Sequence, residues 1–469
     1  MSELRLKDIQ GIVLRRYLMP VQRNILLKVA NPAAARSVLG RTVSGNPSDT
    51  LQITTAEEPA FGAEYYLHVG ITWPGLVALE VKDRVPNLSF KSFPAFVEGA
   101  AKRAGGMGEV GRSAPEKWIE SFGNGDDHVL FTLYARDSAL LDACSTRLST
   151  LCAAGGAFQE LWRGDGAALM EMVNGIPMPV SKLHFGYVDG ISEPTIKGGP
   201  EGNLPDHQEP CEPWLFVLLD KSKSYYVPEP PELGRNGSFG VFMVLKQDVV
   251  GFDNFLQSQK DKIDPELLAA KICGRWRNGV PLELSPETDS PPGGMKLDQL
   301  NDFDYVNKDG TGDPVGVRCP VGAHIRRVNP RGQPIKGQGR PGGSNNSHRL
   351  IRRGMPYGPV YVPGTPDDGI ERGLLGYFIN ASIENQFEFV VREWLNSHEF
   401  VGASRLNPKS KDLLVSRNSD PEESIFEIPQ ANAGPPLTVT GFSSFVTTQA
   451  IAYCFLPSIT ALKFIARLN

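Results

Sequence analysis

The spacing of apolar residues changes repeatedly along the chain, and the changes come in pairs. QRNILLKVA, residues 22–30, is an apolar run of strand length, and NPAAARSVLGRTV continues with apolar positions at helical spacing. Asn31 and Pro32 stand where a helix takes its N-cap acceptor and its first residue. DHVLFTLYAR alternates and leads into DSALLDACSTRLSTLCAA, with Asp137 as the cap. In the second half GSFGVFMVLKQ precedes DVVGFDNFLQSQ, and GLLGYFINA precedes SIENQFEFVVREWLN. One strand-then-helix unit thus recurs in both halves, separated by loops of uneven length, and no short-period repeat is visible. The pattern predicts an α+β protein of two layers, each a mainly antiparallel sheet with helices on one face, arising from a duplication.

Composition adds loops to this picture. Forty-nine glycines and 38 prolines require long ordered connections, expected near 196–214, 285–295 and 329–346. At 469 residues the chain is long enough for two or three cores, and the domain boundary is expected near 200–215. With 41% hydrophobic and 22% charged residues it reads as globular, and a net charge of −5 without a basic tail gives no reason to expect nucleic acid. No segment has the roughly 18 consecutive apolar residues of a membrane span. The amino end lacks a signal-peptide core, so no membrane partner and a cytoplasmic location are expected. The six cysteines lie far apart without CxxC or CxxCH, and read as reduced, mostly buried thiols.

Candidate chemistry is narrowed by what is missing. The seven histidines form no HExxH, and GxSxG and GxxxxGK[ST] are absent, which disfavours zinc hydrolases, serine hydrolases and P-loop enzymes. In FGYVDGISEP, Asp189 stands between Gly186 and Gly190, either an ordinary turn or a carboxylate held at the end of a tight loop. His324 follows a Gly-Ala pair and precedes Arg326, Arg327 and Arg331. Small neighbours let a flat group approach the ring and arginines can pair with carboxylates, the two features of haem, but a half-buried histidine in a basic loop reads equally well. HRLIRRGMPYGP adds Arg352 and Arg353. A peroxide-activating haem needs an iron ligand, a base and a fixed cation, and His324, Asp189 and Arg352 would supply one each.

These stretches resemble the dye-decolorizing peroxidases. GYVDG resembles the family's GxxDG signature, NDFDY with CPVGAHIRRVNPR its proximal stretch, HRLIRRGMPYG its distal arginine stretch, and DIQGIVLRRY its amino-terminal signature; all occur in the family's order between about residues 7 and 397. The resemblance implies two ferredoxin-like domains, each an antiparallel sheet with peripheral helices: residues 1–210, supplying the distal loop, and residues 211–469, holding one non-covalent haem b. It implies His324 as the axial iron ligand, Asp189 as the distal acid-base residue, and Arg352 rather than Arg353 as the distal arginine. Glu384 falls at the proximal acid that would orient the ligand, Leu374 at the distal wall, and Arg331, with Arg326 a weaker candidate, at a propionate contact.

The chain departs from secreted fungal members in reading GLLGYF, with Gly376 where an aromatic residue is common, which leaves the distal shape open and resembles a longer bacterial branch. The implied activity is reduction of hydrogen peroxide and oxidation of dyes, phenolics or other one-electron donors through an oxoferryl intermediate. Tyr357 and Trp394 stand at positions of surface oxidation in some relatives or are packing aromatics. Two other readings use the same residues: a haem carrier or sensor needing only His324, and an interaction protein without haem.

Overall fold

In the computed structural model, residues 4–46, 50–173, 176–201, 208–220, 222, 224–296, 299–335, 345–401, 411–416, 424–432 and 434–468 are described. Twelve strands occur among them: β1 (Val21–Val29), β2 (Tyr65–Ile71), β3 (Val129–Ala135), β4 (Phe158–Ala167), β5 (Leu169–Val173), β6 (Ile176–Val180), β7 (Ser238–Gln247), β8 (Ile351–Tyr357), β9 (Gly373–Asn380), β10 (Ile425–Ile428), β11 (Leu437–Thr440) and β12 (Val446–Leu456).

Eight of them make one antiparallel sheet in the order β4-β1-β3-β2-β12-β7-β9-β8. Its halves repeat one topology: numbered within each half, both read 4-1-3-2, the order of a ferredoxin-like unit. The halves meet where β12 pairs with β2 through Phe455 and Ile71. The fold is thus α+β with two ferredoxin-like units, and the expected division after residue 210 lies between β6 and β7. The remaining strands form the hairpins β5-β6 and β10-β11.

The expected strand-helix units form for local reasons. Helix Pro32–Ser44 follows β1, and the Asn31 side chain accepts from the Ala34 amide at 3.2 Å. Helix Ser138–Ala153 follows β3, with Asp137 accepting from Leu140 N at 2.8 Å. Helix Val249–Ser258 follows β7 under an Asp248 cap. The fourth unit departs from expectation: after β9 the chain winds as π-helical turns over Glu384–Glu388 and Val390–Leu395.

Alternation sorts the side chains onto two cores. Ile25, Leu27, Leu67, Val69, Phe131 and Leu133 face the helices. Leu26, Tyr66, Leu130, Phe242, Leu375 and Tyr377 face the opposite side, where the sheet curls so far that its outer strands approach: a Cβ on Gly166 of β4 would lie 3.0 Å from Met355 Cβ of β8. All six cysteines are buried and none forms a disulfide. No helix among the described residues is long and apolar enough to cross a membrane. Of the expected loops, residues 202–207, including His207, and 336–344 lie outside the described residues.

Candidate functional site

The site collects residues far apart in sequence around the helix-facing side of β8 and β9. The GYVDG loop is built by its glycines. Gly186 and Gly190 have φ of 87° and 79°, and a Cβ on Gly190 would stand 1.9 Å from the Arg16 guanidinium. The loop is pinned by Asp189 N donating to Ser181 O at 2.9 Å, Val188 N to Arg277 O at 2.9 Å, and Arg16 to Gly190 O at 3.0 Å. The amino-terminal stretch thus clamps the loop from behind.

Asp189 Oδ1 meets Arg352 Nη1 at 3.1 Å. Glu193, inside the same decapeptide, holds both arginines, lying 3.2 Å from Arg352 Nη2 and 3.2 Å from Arg353 Nη1. Arg352 is the half-exposed member; Arg353 is buried and donates to Ile12 O and Arg352 O. Burial pushes the Asp189 carboxyl up, but Arg352, the Gly190 amide, Arg16 and His324 outweigh it and hold the group below the usual carboxylate range. Asp189 in turn raises Arg352.

His324 opens the helical turn His324–Val328. Its Nδ1 lies 3.0 Å from Asp412 Oδ2, and its Nε2 makes no hydrogen bond among the described residues. Asp412 is 0% exposed and also accepts from Val415 N at 2.8 Å. Burial raises its carboxyl, yet His324 and Arg327 bring it below the ordinary range. The turn is anchored by Asp313, whose carboxylate accepts from the amides of Val317, Arg318 and Cys319 and from Arg326 at 3.2 Å.

Three expected roles change here. The carboxylate behind His324 is Asp412, not Glu384, which accepts instead from the Ala95 amide and is raised by burial. Arg331 is 2% exposed: its φ of 52° turns it inward, onto Phe303 O at 2.7 Å and Asn301 Oδ1 at 2.6 Å, so it does not face a ligand. Arg326 is 0% exposed and bound to Asp313, Cys319 O and Gln333. Trp394, 2% exposed, packs among Phe389, Phe400 and His348, whereas Tyr357 is half-exposed and donates to Glu371 and Gln449.

The wall beside Arg352 follows from register. Arg352, Gly354 and Pro356 stand opposite Phe378, Gly376 and Leu374, so all six share a face, with the two glycines leaving the sheet bare between Leu374 and the Arg352-Phe378 pair. The departure at Gly376 has a backbone cause. Its φ is 147°, and a Cβ would lie 2.1 Å from Arg353 O and 2.6 Å from Gly354 Cα. The aromatic ring on this face comes from Phe378 instead. Gly376→Ala is expected to lower stability by about 1–3 kcal/mol, read by denaturant unfolding of the purified protein; an unchanged midpoint would show that the strand relaxes freely.

Comparison with known proteins places this arrangement. No family model matches the chain. A dye-decolorizing peroxidase of Mycena epipterygia is 30% identical over 388 residues, covering 80% of this chain and 68% of that protein. Peroxidase 2 of Mycetinis scorodonius is 27% identical over 480 residues, covering 98% and 87%. Among solved structures, a fungal DyP-type peroxidase from Auricularia auricula-judae superposes with a TM-score of 0.82 at 23% identity, covering 100% of both chains. The class defined by these relatives and this fold is an α+β peroxidase. The chain belongs to the dye-decolorizing peroxidase family, whose members are haem enzymes.

Proposed function

We propose that this peroxidase binds one non-covalent haem b between His324 and the Asp189-Arg352 pair, and there reduces hydrogen peroxide at the expense of dyes, phenolics or similar one-electron donors. The observation that carries the reading is the division of labour at His324: Asp412 occupies Nδ1, which leaves Nε2 as a lone-pair donor. The residues fit a flat macrocycle, because Gly354 and Gly376 put no side chain between Arg352 and Leu374 on their shared face of the sheet. Leu374 and Phe378 would form its apolar wall. Bound there, haem supplies the electrons that cleave the peroxide O–O bond.

The chain's own groups do the rest. Ionised Asp189 takes the proton from the near peroxide oxygen and returns it to the leaving one. Arg352, fixed by Glu193, stabilises the charge that develops on that oxygen. Asp412 keeps the Nδ1 proton of His324 in place and strengthens Nε2 as a donor. A carrier or sensor would need His324 alone; the built pair of Asp189 and Arg352 favours turnover. A cytoplasmic location is proposed on the same footing, supported by six cysteines none of which forms a disulfide, as expected in a reducing compartment.

The test is optical. Purified protein should show a Soret band that peroxide shifts, and His324→Ala should lose it; a His324→Ala protein that retains the wild-type spectrum would overturn the assignment.

A further inference from the structure

A polar cavity lies on the same face of the sheet as Arg352. It measures about 250 Å³ and is bordered by Glu98, Lys102, Arg103, Met107, Glu388 and Arg392. Behind its lining stands Tyr453 of β12, whose hydroxyl donates to Glu388 Oε1 at 2.9 Å and lies 3.2 Å from Met107 Sδ. Glu388 is 2% exposed and is held by Arg103 at 2.6 and 2.5 Å. A buried tyrosine aimed at an ion-paired carboxylate has a ready acceptor for its proton.

The sheet connects this tyrosine to the distal residues. Tyr453 pairs with Val241, Val241 with Phe378, and Phe378 with Arg352, so the four form one row on one face. Three strand spacings separate its ends, about 14 Å between backbones. Along the row Phe378 and Phe387 have ring centroids 5.5 Å apart, and Phe387 and Tyr453 6.5 Å. Of the two aromatics considered from sequence as surface oxidation sites, Trp394 is buried and Tyr357 has its hydroxyl engaged.

We propose that this cavity is a binding site for anionic phenolic donors, and that Tyr453 relays their electrons to the peroxide site. The proposal rests on the peroxidase reading. The charge of the lining selects the donor: Lys102 is exposed and has no ion-pair partner among the described residues, whereas both carboxylates of the lining are already taken by Arg103 and Arg392 is paired with Glu393 at 2.6 Å. In each one-electron step Tyr453 loses an electron toward the oxidised centre and its proton to Glu388. The tyrosyl radical then takes an electron from the phenol and recovers the proton from Glu388, while the phenol's own proton passes to water. Two phenols and one peroxide give two phenoxyl radicals and two waters.

The experiment uses the holoenzyme with phenolsulfonate and with uncharged phenol. Tyr453→Phe should lower kcat/KM for phenolsulfonate at least tenfold and remove the tyrosyl signal from the electron paramagnetic resonance spectrum of peroxide-treated enzyme. Lys102→Glu combined with Arg392→Glu should raise KM for phenolsulfonate at least fivefold more than KM for phenol, and weaken phenolsulfonate binding to the resting protein in equilibrium dialysis. This second variant carries surface changes only, and decides the matter if Tyr453→Phe fails to fold. Wild-type kinetics and an unchanged radical signal in Tyr453→Phe, or unchanged dialysis in the charge-reversed variant, would overturn the donor site while leaving the peroxidase reading intact. A wild-type protein that does not react with peroxide would overturn both.

Discussion

Asp189→Asn should slow the reaction of the resting enzyme with peroxide by about 10²–10⁴-fold, the range for loss of a positioned proton-transfer group. Asparagine keeps the shape of the side chain and can still meet Arg352, but it cannot take a proton. Arg352→Leu should cost about 10²–10³-fold, as expected for a lost charge-stabilising donor. Stopped-flow absorbance on haem-loaded protein measures both, with the resting spectrum showing that loading is unchanged. Wild-type rates in both variants would remove the pair from the mechanism.

The same pair sets a pH dependence. A base works when deprotonated, and Asp189 is held below the usual carboxylate range of about 4 by Arg352 and its neighbours against the upward pull of burial. The rate of the peroxide step should therefore stay level as pH falls toward about 4 and decline only below it. The linked contribution to stability has the same sign: it is present above the unfolded carboxylate's pKa and is lost as pH falls through the lower folded one.

Asp412→Asn should have the largest effect outside the Asp189-Arg352 pair. The amide can still accept the Nδ1 proton, so the ring keeps its orientation, but the negative charge behind it is gone. The expected result is weaker haem retention or lower activity by about 10–100-fold, and a more positive reduction potential of the bound haem in spectroelectrochemical titration. Glu384→Gln is the control, because Glu384 faces the Ala95 amide and not the imidazole. A shifted potential in Glu384→Gln with none in Asp412→Asn would reverse the structural assignment.

That contrast shows which parts of the molecule can be read from its sequence. The strand-helix units were legible because their causes are local: Asn31, Asp137 and Asp248 each cap a helix within three residues of the amide they hold. Asp189 and Arg352 were legible because a flanking glycine or a fixed motif position marks each of them. Asp412 carries no such mark. It stands alone in SKDLLVS, 88 residues from the histidine it contacts, whereas Glu384 sat at a familiar offset and had the right chemistry. Glu193 lay within the decapeptide that drew attention to Asp189, yet only the fold brings it against two arginines 159 and 160 residues away. For Arg331 and Arg326 the sequence displays charge but not direction, and burial decides that both serve the loop rather than a ligand.

The position of β12 governs when this enzyme can come into being. The strand nearest the carboxyl end lies in the middle of the sheet, joining β2 of one half to β7 of the other. A ribosome must therefore translate past residue 456 before either half acquires its neighbour. The sheet that carries Arg352 on β8 is thus closed into one eight-stranded layer only at the last stage of synthesis.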